Sequence, residues 1–114
     1  MIDPKRGEVW MVDMDPTRGS ELQKTRPVVV ASADTIRSLD VRVIVPITGW
    51  QEPFRHSPWK IKIEPDSRNG LAKTSAADAL QVRCVSVDRF LQKRGTLPQA
   101  LVDEIVDGVR YCLE

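Results

Sequence analysis

Short runs of apolar and alternating residues predict that most of the chain forms β-strands. Eight prolines divide the sequence into pieces of strand length. Residues 59–64 alternate apolar and charged side chains, the pattern of an antiparallel strand with one face in solvent. Residues 27–32 are mostly apolar and β-branched, which is typical of a strand buried on both faces. The predicted strands are residues 8–13, 27–32, 41–45, 59–64 and 79–87.

Local sequence features predict where two of these strands end or become irregular. Pro46 follows the third predicted strand directly and is expected to end it. In the fifth predicted strand the alternation loses parity after Cys84, which predicts a bulge or a strand end near that residue.

The last part of the chain has a helical period instead. Its apolar residues recur at intervals of three and four, which predicts an amphipathic helix over residues 98–112. Thr96 and Gln99 have the spacing of a capping box, and Pro98 suits the first helical position. The pattern as a whole predicts a mainly β fold, a five-stranded, mostly antiparallel barrel or sheet with one packed C-terminal helix, in a single domain over residues 1–114.

Composition narrows the class of protein. Hydrophobic residues make up 41% and charged residues 29% of the 114, a globular balance that can form one core. The 17 Lys and Arg almost cancel the 16 Asp and Glu, which argues against a polybasic nucleic-acid binder. A locally basic groove remains compatible with this total.

The sequence gives little support for a metal site or for a membrane-spanning segment. Two cysteines, Cys84 and Cys112, and the single His56 are too few for a disulfide framework or a Cys/His metal cluster. No apolar run is long enough to span a membrane, and the N-terminus lacks the apolar core of a signal peptide. We therefore expect a soluble protein of a reducing cytoplasm that uses no metal or cofactor.

The connection between the first two strands, residues 15–27, is the best candidate for a functional segment. It is long for an antiparallel connection and is rich in cations and hydroxyls, which suits an anionic ligand. Pro27 restricts Arg26 to extended backbone, so its guanidinium is well placed to grip a phosphate. Thr48 ends an apolar run at a turn and offers a hydroxyl, while the neighbouring Trp50 can stack on a base. The residues alone leave a non-functional alternative open for each of these features. The connection could be a solvated surface loop, Arg26 could pair with a neighbouring carboxylate, and Thr48 could bond its own backbone in a turn.

Taken together, the motifs resemble those of the MazF/PemK family of toxin endoribonucleases over nearly the whole chain. The most specific part is Gly-Ser-Glu at residues 19–21 followed by Arg-Pro at residues 26–27. The remaining pieces are residues 6–10, 15–18, 28–30, 45–48 and 75–83.

The resemblance implies an SH3-like, partly closed antiparallel barrel of the kind that MazF and CcdB toxins share, paired as a homodimer. It implies sequence-specific, metal-independent cleavage of single-stranded RNA by the substrate's own 2′-hydroxyl, leaving a 2′,3′-cyclic phosphate and a 5′-hydroxyl. Arg26 and Thr48 match the family's catalytic pair, and Glu21 matches a glutamate implicated in catalysis or substrate contact. The positions that match the RNA groove are Ser20, Ser75 and Gln81.

The resemblance also implies a cognate antitoxin, whose flexible acidic tail occupies the same groove. The main rival is a CcdB-like toxin that poisons DNA gyrase by binding it, without nuclease activity. In that case the end of the C-terminal helix would carry the function, and residues 109–114 show no distinctive partner-binding cluster. A barrel of this kind that binds RNA or a partner without cutting is a third hypothesis.

Overall fold

The computed structural model describes residues 2–14 and 25–114, and these form a mainly β structure with one α-helix. The strands are β1 (Glu8–Asp13), β2 (Thr25–Val30), β3 (Val41–Gly49), β4 (Lys60–Ile63), β5 (Ser75–Asp78), β6 (Arg83–Ser86) and β7 (Phe90–Thr96). The helix is α1 (Gln99–Leu113), and short 3-10 turns lie at Asp34–Ile36, Glu52–His56, Ala79–Gln81 and Val87–Arg89. No helix in these ranges is long and apolar enough to cross a membrane.

The strands form one antiparallel sheet in the order β4-β5-β3-β2-β1-β7. One half of β3 pairs with β6 and its other half pairs with β5. Within the described ranges the end strands β4 and β7 do not pair, so the sheet is not closed. The connection of residues 64–74 reaches across to β7, where the Thr96 N–H donates to the Arg68 carbonyl at 2.9 Å. The predicted antiparallel fold with a C-terminal helix is confirmed.

The third strand does not end at Pro46, as predicted, but runs through it to Gly49. The Ala31 N–H donates to the Val43 carbonyl, so odd-numbered residues of β3 bond toward β2 and Pro46 faces the other side. On that side β6 pairs only up to Ile44 and β5 begins pairing at Ile47. Pro46 therefore lies in the gap between two partners, where its missing N–H leaves no ladder bond unmade.

The prediction of a single strand over residues 79–87 is wrong. The Asp78 side chain accepts a hydrogen bond from the Leu80 N–H at 3.3 Å, and the chain makes a 3-10 turn over Ala79–Gln81. Only Arg83–Ser86 forms a strand, and Cys84 lies within it, paired with Val43. The break thus falls before Cys84, because an aspartate side chain competes for backbone donors at the turn.

Two strands were not predicted, so the count is seven within the described ranges and not five. The sequence of β5 is Ser-Ala-Ala-Asp, whose residue types are depleted in strands or neutral to them. The middle of β7 is Gln-Lys-Arg-Gly and is largely exposed, so it lacks an alternating pattern. Both strands form because their neighbours in the sheet supply hydrogen bonds and burial, which local sequence does not reveal.

The predicted helix is confirmed to within one residue at each end, but its predicted capping box is wrong. Pro98 is the N-cap residue and makes no side-chain capping bond. Thr96 belongs to β7, where it pairs with Glu8. Helix α1 buries Val102 and Ile105, which pack on the first of two core clusters.

Both faces of the central strands are buried, which explains the apolar run in β2. Val29 belongs to the cluster under the helix, whereas Val28 and Val30 belong to a second cluster on the opposite face. In that second cluster Trp10 packs edge-on against Phe90, with ring centroids 5.7 Å apart. The two clusters hold β1, β2 and β3 rigidly, and the candidate site lies at one end of these strands.

A buried carboxylate helps to fix the start of β1. Glu8 accepts hydrogen bonds from the Lys5 backbone N–H and the Trp10 indole N–H, each at 2.9 Å. Its second oxygen lies 3.0 Å from the Lys93 ammonium on β7. Burial raises the pKa of Glu8, but these donors together outweigh it and leave the pKa below its ordinary value of 4.5.

Candidate active site

An open cavity of about 380 Å³ lies where β2 and β3 meet the segment of residues 70–73. This volume is at the lower end of the range for small-molecule sites, roughly 300–1,000 Å³. The lining residues are Met11, Arg26, Pro27, Ile47, Thr48, Gly49, Gly70, Leu71, Ala72, Lys73, Ser75 and Arg94. The cavity thus brings together three residues that the sequence singled out, Arg26, Thr48 and Ser75.

Sheet register explains why Arg26 and Thr48 meet. In the antiparallel pairing of β2 with β3, Val30 lies opposite Ile44 and Val28 lies opposite Pro46. The same register, continued by two residues, sets Arg26 across from Thr48. Residues opposite each other on antiparallel strands project from the same face, with their Cβ atoms about 5 Å apart. Both side chains are half-buried.

Charge in the cavity has one sign among the described residues. Three of the lining side chains are cations, from Arg26, Lys73 and Arg94, and none of the lining residues is Asp or Glu. A cleft lined by charges of one sign concentrates counter-charged ligands near it. The described residues that line the cavity therefore carry a net positive charge, although the whole chain carries only +1.

Lys73, which was not identified from the sequence, is one of the residues that line the cavity. Its ammonium lies over Gly49: a β-carbon built on that glycine would be 3.1 Å from Nζ. Gly49 follows Thr48 directly in β3, and both residues line the cavity together with Lys73. No carboxylate of the described residues is within ion-pair distance of this ammonium.

Ser75 holds the backbone that presents Lys73. The Ser75 hydroxyl donates to the Lys73 carbonyl at 2.8 Å, and the side chain is buried. The backbone carbonyl of Thr74, the next residue, accepts a hydrogen bond from the backbone N–H of Trp50 at 3.1 Å. These two bonds fix the chain on either side of Thr74, and the Ser75 oxygen keeps a lone pair that can still accept a hydrogen bond.

The segment before Lys73 is a tight, internally bonded turn. Asp66 accepts the backbone N–H groups of Arg68 and Asn69 at 2.8 and 2.9 Å, and these bonds hold the pKa of Asp66 below its ordinary value. Asn69 is 1% exposed and donates to the Glu64 carbonyl at 2.8 Å. Its amide oxygen accepts the Leu71 N–H at 3.0 Å. The wall of the cavity formed by residues 70–73 is therefore anchored at its base.

Two residues predicted to bind RNA do not line the cavity. Trp50 lies just beyond Gly49, where its indole N–H donates to Glu52 at 3.2 Å and its ring packs edge-on against Phe54. Gln81 is exposed in the 3-10 turn that follows β5. Their proposed contacts with RNA stay predictions.

Two further predicted residues, Ser20 and Glu21, lie outside the described residues. Within residues 2–14 and 25–114, no group of three or more His, Cys, Asp and Glu side chains has the arrangement of a metal site.

Sequence comparisons agree on one family. A family model described as "PemK-like, MazF-like toxin of type II toxin-antitoxin system" matches residues 5–113. The endoribonuclease MazF9 of Mycobacterium tuberculosis is 29% identical over 116 residues, which cover 96% of each sequence. The endoribonuclease PemK of Escherichia coli is 30% identical over 106 residues, which cover 91% of this chain and 77% of PemK.

A structural comparison finds the same fold. The crystal structure of MazE–MazF from Deinococcus radiodurans matches with a TM-score of 0.74, covering 99% of this chain and 97% of that one. Sequence identity in this pair is only 15%, so this likeness concerns the fold alone.

Proposed function

This chain belongs to the family of PemK-like, MazF-like toxins of type II toxin–antitoxin systems, and we propose that its cavity cuts single-stranded RNA with Arg26 and Thr48 as the catalytic pair. Membership confirms the resemblance found in the motifs, and the matched relatives are endoribonucleases by name. The observation that carries the proposal is the meeting of Arg26 and Thr48 in one cavity lined by cations.

The proposed reaction uses the substrate's own nucleophile. The 2′-hydroxyl attacks the adjacent phosphorus, the bond from phosphorus to the 5′-oxygen breaks, and the products are a 2′,3′-cyclic phosphate and a 5′-hydroxyl. The 2′-proton passes to a base and a proton reaches the departing 5′-oxygen, so the reaction is balanced without water or a metal. The protein must align the hydroxyl in line with the leaving oxygen and stabilise the extra negative charge of the transition state.

Arg26 and Thr48 supply donors for that charge. A guanidinium can give two parallel hydrogen bonds to phosphate oxygens, and the threonine hydroxyl can give one more. Arginine stays protonated near neutrality, so Arg26 acts in this scheme as a donor to the phosphate or to the leaving oxygen and not as the base. We assign the base to Glu21.

Lys73 is the second cation of the same centre. Lys73 lines the same cavity as Arg26 and Thr48, and its ammonium lies over Gly49, so we propose that it contacts the substrate phosphate there. A second positive group matters most when the phosphate gains charge in the transition state. Ser75 contributes by holding the Lys73 backbone, and Ser20, Gln81 and Trp50 are proposed to contact RNA.

The same charge distribution suits the partner that the family implies. An antitoxin tail rich in Asp and Glu would find three cationic residues, Arg26, Lys73 and Arg94, lining one cavity. We propose that such a tail inhibits the enzyme by occupying this cavity. We also propose that the active form is a homodimer located in the cytoplasm.

Single-turnover cleavage of a long single-stranded RNA, in excess chelator, tests the catalytic pair. Removal of one preorganised donor typically lowers a rate by about 10²–10³. We therefore expect Arg26→Gln and Thr48→Val to lose about two to three orders of magnitude in rate while unfolding at the wild-type temperature. Arg110→Gln is the matched control, because Arg110 is exposed on α1 and, among the described residues, forms an ion pair with Asp107 alone.

Each contrary outcome has a definite meaning. Unchanged cleavage by Arg26→Gln would remove Arg26 from the mechanism. Loss of wild-type activity on chelation would contradict the metal-free scheme. A folded wild-type protein that cuts no RNA would favour the gyrase-poison or pure binding hypothesis, which the names of the matched relatives do not favour.

A further inference from the structure

Arg94 occupies an irregular position in β7. Val9 of β1 pairs with Gly95, but the next residue, Trp10, pairs with Lys93. Arg94 is therefore the extra residue of a β-bulge and has no partner on β1. Bulges turn a side chain away from the direction that regular alternation would give it, and they are common next to active sites.

The backbone of this bulge is held by the connection that forms the cavity wall. Gly70 has a φ of +68°, and a β-carbon built on it would be 2.9 Å from the Arg94 carbonyl carbon and still nearer to its oxygen. Gly95 makes an equally close approach: its added β-carbon would lie 2.7 Å from the Asn69 carbonyl carbon. The two chains thus meet backbone to backbone through glycines on both sides, and the position of Arg94 is fixed.

The charge of Arg94 is not used for stability within the described part of the chain. The preceding residue, Lys93, lies 3.0 Å from Glu8 in an ion pair. Arg94 has no carboxylate within ion-pair distance among the described residues, and it is one of the residues that line the cavity with Arg26 and Thr48. One cation of this adjacent pair therefore supports the sheet, and the other faces the site.

The sheet order separates Arg94 from the catalytic pair. Arg26 lies on β2 and Arg94 on β7, with β1 between them. At about 4.8 Å per strand spacing, the two strands are roughly 10 Å apart. Arg94 is also displaced along the strands, because Arg26 pairs with Val12 of β1 whereas Lys93 pairs with Trp10. Lys73 lies on the other side of Arg26, over Gly49 of β3. The three cations are thus spread across the strands, as a chain of successive phosphates would require.

We propose that Arg94 forms a binding subsite for an RNA phosphate next to the scissile one. This inference rests on the proposed endoribonuclease function and deepens it: Arg94 binds substrate in the ground state and the transition state alike. Such uniform binding contributes to KM, whereas a group that acts on the scissile phosphate contributes to kcat.

The test compares Arg94→Gln with wild type in two assays. The first measures binding of an RNA that carries a 2′-deoxy residue at the cleavage site, at several salt concentrations. Loss of one phosphate contact reduces the slope of log K against log[salt] by about 0.7 for a single strand. The second measures cleavage kinetics, in which we expect KM to rise about tenfold and kcat to stay within about twofold.

Two further variants separate charge from fold. Arg94→Lys keeps the charge and should restore the salt slope, and Arg110→Gln should match wild type in both assays. RNA oligonucleotides with one neutral methylphosphonate linkage then locate the subsite. At one non-scissile linkage, the neutral group should weaken wild-type binding and leave Arg94→Gln unaffected.

The contrary outcomes are distinct from those for the proposed function. If wild type cuts RNA and Arg94→Gln shows an unchanged salt slope and KM, the subsite does not exist. A fall in kcat without a change in KM would place Arg94 on the scissile phosphate and would also overturn the inference. A wild-type protein that cuts no RNA refutes the endoribonuclease function itself, whatever Arg94→Gln does.

Discussion

The contact between Gly70 and β7 makes a strong prediction about stability and activity together. Gly70 lies in the left-handed region at φ +68°, where an L side chain is strained. In Gly70→Ala the new methyl would lie 2.9 Å from the Arg94 carbonyl carbon, whereas ordinary contact begins at 3.4 Å. Both partners are backbone, so neither can rotate away. The connection must lift from β7.

The magnitude follows from three contributions. Left-handed backbone costs a non-glycine residue about 1–2 kcal/mol. Lifting the connection weakens the bond from the Thr96 N–H to the Arg68 carbonyl, worth about 0.5–1.5 kcal/mol net. Residual overlap adds about 1 kcal/mol as bent angles or displaced backbone. We expect a loss of about 3 kcal/mol, which for a domain of this size lowers Tm by roughly 10 °C or more.

Urea unfolding measures this loss, with a matched glycine as control. Gly49→Ala brings a methyl to 3.1 Å from the Lys73 ammonium, the far end of a flexible side chain that can swing away. Its unfolding free energy should therefore change by less than about 0.5 kcal/mol. RNA cleavage should fall in both variants, because Gly70→Ala moves the wall that carries Lys73 and Gly49→Ala displaces the Lys73 ammonium itself.

The two glycines thus predict different combinations of results. If Gly70→Ala were as stable as wild type, the backbone contact between residues 70 and 94 would be absent in solution. If Gly49→Ala kept full activity, the position of the Lys73 ammonium over Gly49 would be irrelevant to catalysis.

Two predictions concern other side chains. Lys73→Gln should lower single-turnover cleavage by about tenfold to 100-fold without a change in Tm, since it removes a cavity charge that pairs with no described carboxylate; an unchanged rate would exclude Lys73 from the reaction. Glu8→Gln should destabilise the protein by about 1–3 kcal/mol at pH 7, because it removes the ion pair with Lys93 and weakens the bond from Trp10. Because folding lowers the pKa of Glu8, its contribution is present above about pH 4.5 and is lost as the pH falls through the folded pKa. Urea titrations between pH 3 and pH 7 should therefore show stability falling less steeply in acid for Glu8→Gln than for wild type, and parallel curves would contradict this role.

The sequence predicted those helices and strands in which buried and exposed positions recur at a regular interval along the chain. The helix over 98–112 was predicted to within a residue because Val102 and Ile105 recur at helical spacing on one buried face. Strand β4 was predicted because Lys60 to Ile63 alternate between solvent and core. Strands β5 and β7 lack such repeats, and only their neighbours in the sheet stabilise them as strands.

The candidate site divides in the same way. Arg26 and Thr48 were identified from motifs that keep their spacing, and sheet register then explains why they meet. Lys73 and Arg94 were missed because their positions depend on non-local contacts. Lys73 reaches the site through the packing of its connection against Gly49, and Arg94 through a bulge that nothing in the local sequence Lys-Arg-Gly announces.

The most direct test of the central claim is to map the ends of the RNA fragments in excess chelator, beside a matched RNA with a single 2′-deoxy residue at the cleaved position. The account predicts discrete cuts with 2′,3′-cyclic phosphate and 5′-hydroxyl ends, and no cut at the deoxy position. Cleavage at that position, or fragments with 5′-phosphate ends, would show that the 2′-hydroxyl is not the nucleophile and would contradict the mechanism assigned to Arg26 and Thr48.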